Sequence, residues 1–350
     1  MKTEAMGQLL TPKKLLVRTA VALAVLAAVM VACSGIGPEK ISFRAVFAGP
    51  GPQATGNPDY QIFVNFRLPR ILLGCLVGAA LACSGVVFQA LLRNPLADPY
   101  ILGISSGAGL GAMIAVVSGL NWTLWGRSPI AVFAFAGASA TVWLVWFIGR
   151  LTGKFHVTGL LLAGVVVNAF LSAVIMFLTS IAKADQVYDT IFWLMGNMNM
   201  TEVDFLALWI GAGCAIAGIV ALFYISPQLN ALSLGDDDAM SMGVNIAKTR
   251  TIAFGVAAAI TAIAVSFSGL IGFVGLVVPH GVRLVFGPDH RQLFPLSAIV
   301  GAIFLVVADT LARVIIAPAQ LPVGVVTAIV GGPFFLVLLV KYSRKIGWLK

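Results

Sequence analysis

Long runs of apolar residues, separated by short polar connectors, recur along the whole chain. A helix of about 20 apolar residues crosses the roughly 30 Å hydrocarbon core of a membrane. Ten runs near that length can be traced, at 15–34, 71–92, 100–118, 129–149, 158–181, 204–224, 249–268, 270–287, 293–316 and 322–342. The pattern predicts an all-α polytopic membrane protein with ten transmembrane helices in a single domain, residues 1–350.

The seventh and eighth runs almost merge. One helix over 249–287 would measure about 58 Å, roughly twice the membrane core, so we predict a turn within Ser266–Gly269. Glycines repeat at four-residue intervals in two other runs and predict faces on which helices approach closely. These glycines are Gly74 and Gly78, and Gly103, Gly107 and Gly111.

Composition and charge agree with a membrane protein. Hydrophobic residues make up 60% of the chain and charged residues 10%, and the mean hydropathy is +1.01; a soluble domain carries about 25% charged residues. With the N-terminus in the cytoplasm, 15 of the 22 lysines and arginines fall in cytoplasmic segments. The positive-inside rule therefore places both termini in the cytoplasm, and the net charge of +9 reflects topology rather than nucleic-acid binding.

The N-terminus allows an alternative. Basic residues up to Arg18, an apolar stretch and Cys33 are also typical of a lipoprotein signal peptide. Its removal would leave nine spans and one terminus on the wrong side of the charge bias, so we favour a first transmembrane helix.

Residues that carry enzymatic chemistry are sparse. His156, His280 and His290 are scattered singly, and no HExxH motif, Walker A loop or nucleophile elbow is present. The four cysteines form no C-x-x-C pair and are expected to be buried small hydrophobic residues. We predict a transport protein that is not an enzyme and that binds no metal or cofactor itself.

The connector 226–248 contains three consecutive acids between two glycines, Gly235 and Gly243, and is unusually apolar for a loop. It predicts a short amphipathic helix pair that binds a soluble partner. The alternative is a solvated loop.

Charges near or within the apolar runs suggest two further roles. Arg67 and Arg70 lie on the outer side, against the charge rule, and from the residues alone are interfacial anchors for the second helix. Asp309 lies deep in an apolar run, which marks a functional position, and Arg313 follows four residues later on the same helix face. The simpler interpretation is an ion pair that orients Arg313; the alternative is a proton-coupling site.

Seven motifs stand in order along the chain: RLPR at 67–70, GAALACSGVVFQALLRNPLADPYILGISSGAG at 78–109, LLLAG at 160–164, LSLGDDDAMSMG at 232–243, GLIGFVGLVVPHGVRL at 269–284, ADTLAR at 308–313 and LPVGVVTAIVGGPFF at 321–335. Together they resemble one family, the permease subunits of type II ABC importers for iron chelates (siderophores, haem) and vitamin B12 (cobalamin).

The resemblance implies a homodimer around a central translocation path in a bacterial or archaeal cytoplasmic (inner) membrane. Two ATP-binding cassette subunits would use ATP and Mg²⁺, and an extracytoplasmic substrate-binding protein would deliver the cargo. No residue pattern distinguishes siderophore, haem and cobalamin. The competing hypothesis is a proton-coupled secondary transporter that uses Asp309.

The resemblance also implies roles for individual residues, in three groups. Arg67, Arg70 and Arg313 would dock the binding protein. The loop 227–244, with Leu232, Gly235, Asp236 and Gly243, would couple to the ATPase. The cytoplasmic gate would consist of Asn94, Leu96, Val157 and Thr158. Val157 and Thr158 depart from the hydroxyl-rich pattern of some members.

Overall fold

The computed structural model describes residues 11–51, 56–120, 122, 128–151, 157–198 and 205–346, and it contains no strand within them. The α-helices are α1 Pro12–Gly35, α2 Phe43–Phe47, α3 Pro58–Gln61, α4 Leu68–Leu91, α5 Ile104–Val117, α6 Pro129–Leu151, α7 Val157–Ile181, α8 Ala184–Leu194, α9 Phe205–Tyr224, α10 Ser226–Leu234, α11 Asp236–Ser241, α12 Ile246–Ser268, α13 Val274–Phe286, α14 His290–Val314 and α15 Val323–Ile346. A π-helical turn, Ile62–Arg67, leads into α4, and a 3₁₀ turn, Pro99–Leu102, precedes α5.

Within the described residues, seven helical stretches are long and apolar enough to cross a membrane. They are Pro12–Gly35, Pro58–Leu91, Pro129–Arg150, Gly159–Ile181, Phe205–Tyr224, Ile246–Ser268 and His290–Val314. Shorter apolar helices occupy Ile104–Val117, Val274–Phe286 and Val323–Val337. Each predicted apolar run overlaps one of these stretches, which confirms the all-α class with several apolar helices.

Backbone breaks explain why α5 and α13 are short. The predicted turn after the seventh run is confirmed, because α12 ends at Ser268 and Gly269 has φ +66°. The chain stays non-helical up to Phe273, whose φ of +70° is uncommon outside glycine. The hydroxyl of Tyr100, in the 3₁₀ turn before α5, accepts a hydrogen bond from the backbone N–H of Ile271 at 3.2 Å. The two breaks therefore lie side by side, and the Tyr100 side chain satisfies one backbone N–H of the break before α13.

Helix α4 forms the core of the bundle. Of the most apolar part of Pro58–Leu91, 83% of residues are buried, the largest share among the candidate spans. Gly78 faces the backbone of Gly301 on α14, and Gly85 faces the backbone of Gly275 on α13. A Cβ atom at Gly78 or Gly85 would overlap these backbone atoms, so the helices meet with no side chain between them.

The predicted glycine face of α5 is confirmed in the same way. Gly107 lies against Gly137 and Thr141 of α6, and Gly111 lies against the carbonyl group of Phe133. In a membrane, where lipid competes for every apolar surface, such close backbone approach is a main source of helix–helix attraction.

Replacing Gly78 with alanine should therefore destabilise the protein. In Gly78→Ala the new methyl group overlaps the Gly301 carbonyl, and overpacking of this kind typically costs about 1–3 kcal/mol. Thermal unfolding of the detergent-solubilised protein measures the loss. The matched control is Gly255→Ala in α12, because a Cβ there meets no atom within 4 Å. Equal unfolding temperatures for the two variants would contradict the backbone contact.

Candidate functional sites at the two ends of the bundle

Four charged residues meet at the end of the bundle where α4 begins and α14 ends, here called the arginine end. The Nε of Arg70 lies 2.9 and 3.1 Å from the two carboxylate oxygens of Asp309, and the Nε of Arg313 lies 3.1 Å from one of them. Asp309 is 2% exposed. One buried carboxylate thus pairs with two arginines, an arrangement we call the Asp309 bridge.

The predicted ion pair between Asp309 and Arg313 is confirmed. Its second partner, Arg70, was not predicted, because the two residues are 239 positions apart and only the packing of α4 against α14 joins them. The remaining donors of the two guanidinium groups are partly satisfied by Gln320 Oε1, 3.0 Å from Arg70 Nη1, and by Thr310 Oγ1, 3.1 Å from Arg313 Nη2.

Arg67 lies beside the Asp309 bridge but outside it. Its Nη1 donates to the carbonyl oxygen of Ser34 at 2.8 Å, and its Nη2 donates to the carbonyl oxygen of Glu39. Ser34 is in the last turn of α1, where a positive charge stabilises the carbonyl end of a helix. Arg67 therefore fixes the chain that leaves α1 against the start of α4.

All three arginines line a cavity of about 330 Å³ at this end, although each side chain is largely buried in its intramolecular contacts. Glu39, Phe66 and Pro318 contribute to the same wall. The three arginines outnumber Glu39 and the buried Asp309, so the depression keeps a net positive charge and is suited to receive an acidic group.

The opposite end, where α4 ends and α12 and α14 begin, is here called the loop end. Helices α10 and α11 cover it and bury Leu229, Leu232 and Ala239. Leu234, Met240 and Met242 instead expose large apolar side chains. The predicted short helix pair is confirmed, whereas its binding of a soluble partner stays a prediction. Gly235 (φ +152°) and Gly243 (φ +79°) bound α11 in conformations that favour glycine.

Asp236, the first residue of α11, points towards the bundle. Its Oδ1 accepts hydrogen bonds from Arg250 Nη2 of α12, at 2.8 Å, and from Arg93 Nη2 at the end of α4. Asp237 and Asp238 are exposed. The three acids therefore have different environments, which the sequence run did not indicate.

A second set of contacts attaches α10 to α14. The side chain of Asn230 donates to Asp289 Oδ1 at 2.8 Å and accepts from the backbone N–H of His290 at 2.9 Å. Burial would raise the pKa of Asp289, but hydrogen bonds from Arg291 and Asn230 outweigh it and hold that pKa below its ordinary value. Asp289 therefore stays ionised and fixes the loop to the start of α14.

The predicted gate residues Asn94 and Leu96 lie in the corner after α4. Asn94 is exposed, and its side-chain oxygen accepts a hydrogen bond from the backbone N–H of Leu96 at 2.9 Å, a local turn that holds Pro95 outside the helix. Val157 and Thr158 begin α7, but their side chains lie outside the part of the chain that the structure describes in detail. Their gating role stays a prediction.

The described ranges contain no candidate metal site. No group of three or more histidine, cysteine, aspartate and glutamate side chains in those ranges could hold a metal ion.

Comparison with known proteins gives one consistent result. A model described as the FecCD transport family matches residues 14–341. The hemin transport system permease protein HmuU of Yersinia pestis is 37% identical over 313 residues, covering 89% of this chain and 92% of that protein. The cobalamin import system permease protein BtuC of Halobacterium salinarum is 42% identical over 294 residues, covering 82% of this chain and 76% of that protein.

A third relative, the Fe(3+) dicitrate transport system permease protein FecD of Escherichia coli (strain K12), is 38% identical and covers 82% of this chain and 87% of its own length. A solved structure described as an inward-facing conformation of a metal-chelate type ABC transporter superposes with a TM-score of 0.81 at 31% identity. The superposition covers 95% of this chain and 100% of the chain in that structure. The match includes both ends of the bundle, and the chain belongs to the FecCD transport family as a permease subunit of an ABC importer.

Proposed function

We propose that this permease carries an iron chelate, haem or cobalamin across the cytoplasmic membrane of a bacterium or archaeon. The observation that carries the proposal is the family match over 14–341, supported by relatives whose names specify hemin, cobalamin and ferric dicitrate. In this proposal ATP and Mg²⁺ belong to two partner ATPase subunits, and the permease itself contributes no cofactor.

The proposed orientation places the loop end in the cytoplasm and the arginine end outside. It is supported by the excess of lysine and arginine in the segments that would then be cytoplasmic, and it assigns ten membrane crossings to the seven long and three shorter apolar helices. Both termini are then cytoplasmic.

At the arginine end we assign docking of the substrate-binding protein to the cavity lined by Arg67, Arg70 and Arg313. Since these side chains are already held by internal contacts, they act as a fixed positive field that steers acidic groups into register. Side chains that need no reordering lose little entropy when the partner binds.

At the loop end we assign contact with the ATPase to the exposed surface of Leu234, Met240 and Met242. An apolar patch of this kind outside the bilayer fits a groove on a soluble partner. The glycines that bound α11, the buried Leu232 and the bonded Asp236 attach this surface to the bundle.

The homodimer is proposed from helix α7. Only 17% of its apolar span is buried in one subunit, and Leu162, Val166 and Phe170 form an exposed stripe at four-residue spacing. Because α7 starts at the proposed gate residues Val157 and Thr158, a path gated there follows this face. A second copy that packs beside the path would cover the part of the apolar stripe that does not line it.

The alternative, a proton-coupled carrier that uses Asp309, finds no support in the comparisons. The geometry also disfavours it, because a proton on Asp309 would remove the counterion of two buried arginines. The carboxylate is better suited to hold Arg70 and Arg313 in place.

Transport should require ATP and both partners. Proteoliposomes that contain the permease, its ATPase and its binding protein should accumulate one of the three substrate classes with enclosed ATP. A non-hydrolysable analogue of ATP, or omission of the binding protein, should abolish uptake. Uptake that persists without ATP and follows a pH gradient would establish the carrier hypothesis instead.

Loss of the Arg67 charge should weaken docking. In Arg67→Gln, stimulation of ATP hydrolysis by the binding protein should fall about two- to fivefold, the size of a solvent-screened charge interaction with the partner, and the difference should shrink in high salt. Arg67→Lys, which keeps the charge, should retain most of the stimulation.

A matched control for Arg67→Gln is Lys183→Gln, which removes one positive charge from an exposed position beside α8. Equal stimulation in the Arg67 and Lys183 variants, with both proteins folded, would remove Arg67 from the docking site.

Asp309→Asn should destabilise the permease, because it leaves Arg70 and Arg313 buried beside each other without a counterion; breaking a buried pair typically costs about 3–5 kcal/mol. Unfolding in detergent by heat or denaturant measures the effect, with the exposed Asp185→Asn as control. A fully stable Asp309→Asn protein that cannot transport would argue against a supporting role.

A further inference from the structure

The carboxylate of Asp236 joins three separate segments at the loop end. It belongs to α11, it bonds Arg250 of α12 at 2.8 Å, and it bonds Arg93 at the end of α4. The same Arg93 nitrogen lies 3.1 Å from the carbonyl oxygen of Leu232 in the last turn of α10. We call this group, Asp236 with Arg93 and Arg250, the Asp236 bridge.

Arg93 connects the Asp236 bridge to the proposed gate corner. It is the residue directly before Asn94, and it has φ +47°, a conformation uncommon for any residue except glycine. The backbone N–H of Asn94 bonds back to the carbonyl oxygen of Gln89 at 3.2 Å. The side chain that holds the coupling loop and the backbone that forms the corner therefore belong to one short segment.

The general preference of acids for a helix N-terminus does not explain these contacts. Three acids occupy the first turn of α11, and each would favour the helix dipole. Of these three acids, Asp236 is the one for which the described part of the chain shows arginine pairs, whereas Asp237 and Asp238 are exposed. Asp236 therefore pairs with the arginines because of its position at the start of α11, and the charge it shares with Asp237 and Asp238 does not explain the pairing.

The two arms of the Asp236 bridge differ in burial. The side chains of Arg93 and Asp236 are 45% and 40% exposed, whereas that of Arg250 is 10% exposed. Water can hydrate Arg93 and Asp236 when they separate, so their pair can break and re-form at small cost. Arg250 is buried, so water cannot replace Asp236 beside it as readily, and separating this pair costs more. The coupling loop therefore stays attached to α12, while its link to the α4 corner is exchangeable.

We propose that Asp236 is a positioning residue that transmits movement of the coupling loop to the Asn94–Pro99 corner through Arg93. The inference rests on the proposed function, in which the loop contacts the ATPase and the corner forms part of the gate. It assigns the acid a role inside the permease rather than at the ATPase surface.

The first test measures substrate taken up per ATP hydrolysed by the complete importer in proteoliposomes. Asp236→Asn and Arg93→Gln should each lower this ratio about fivefold, while ATP hydrolysis stays within about twofold, because the energy source is intact and its connection to the gate is weakened. The double variant should be no worse than either single variant, as expected for two residues in one contact.

The matched control is Asp237→Asn, which removes the same charge one residue later and should leave the ratio unchanged. Asp236→Glu, which keeps the carboxylate, should retain part of the wild-type ratio of substrate taken up per ATP. Asp236→Asn and Arg93→Gln disrupt the same contact from its two sides. If one of these variants fails to assemble, the other one tests the contact.

The second test reads the corner itself. With the native cysteines replaced by alanine, Leu96→Cys should react with a water-soluble thiol reagent at a rate that changes when ATP is added. In the Asp236→Asn background that change should disappear. A change that persists there, or an uptake ratio equal to that of Asp237→Asn, would overturn the role of Asp236. Absence of ATP-driven uptake in the wild-type importer would instead refute the proposed function, and the inference with it.

Discussion

Backbone contact around α4 is the constraint on which the rest of the structure depends. Gly78 and Gly85 let α14 and α13 approach until backbone meets backbone, which leaves no space for a hydrated side chain along the middle of α4. Its internal polar groups are satisfied by neighbouring helices: Ser84 lies 3.0 Å from the carbonyl oxygen of Ala257, and Gln89 lies 3.2 Å from that of Leu276. Charge is thus confined to the two ends of α4, at Arg70 and Arg93.

Features that depend on short-range pattern could be predicted from the sequence. Apolar run length located the helices, glycine spacing located the faces of close contact, and Ser266–Gly269 located the break before α13. The pair of Asp309 and Arg313 is also local, because residues four apart share a helix face. The short lengths of α5 and α13 were not predicted, since hydropathy does not separate a helix from an apolar segment that leaves the helical conformation.

Features that depend on long-range packing could not be predicted from the residues alone. Arg70 meets Asp309 and Arg93 meets Asp236 because α4 packs against α14 and beside α10, and nothing in either local sequence encodes that meeting. The burial of Arg67 is a similar case, because its partners are carbonyl groups of the chain that follows α1, and any sequence supplies a carbonyl group. The family resemblance named many of these residues but did not indicate which other residues hold them.

The two ends of α4 carry the same motif in different solvent environments. At each end one carboxylate joins two arginines: Arg70 in the first turn of α4 belongs to the Asp309 bridge, and Arg93, two residues after α4 ends, belongs to the Asp236 bridge. The Asp309 bridge is almost fully buried, and breaking such a pair typically costs about 3–5 kcal/mol. The Asp236 bridge is partly hydrated on its Arg93 side, where an exposed pair contributes about 0–1 kcal/mol.

That difference is large compared with the 1.4 kcal/mol that changes an equilibrium tenfold. The Asp309 bridge therefore keeps one arrangement, while the Arg93 arm of the Asp236 bridge can exchange during each cycle. In the proposed orientation a rigid arginine end suits docking, which benefits from side chains already in place, whereas the proposed connection to a moving ATPase at the loop end has to open and close. Helix α4, with backbone contacts along its length, joins the two ends. Both bridges consist of the same residue types, so their difference in burial determines which bridge can break and re-form.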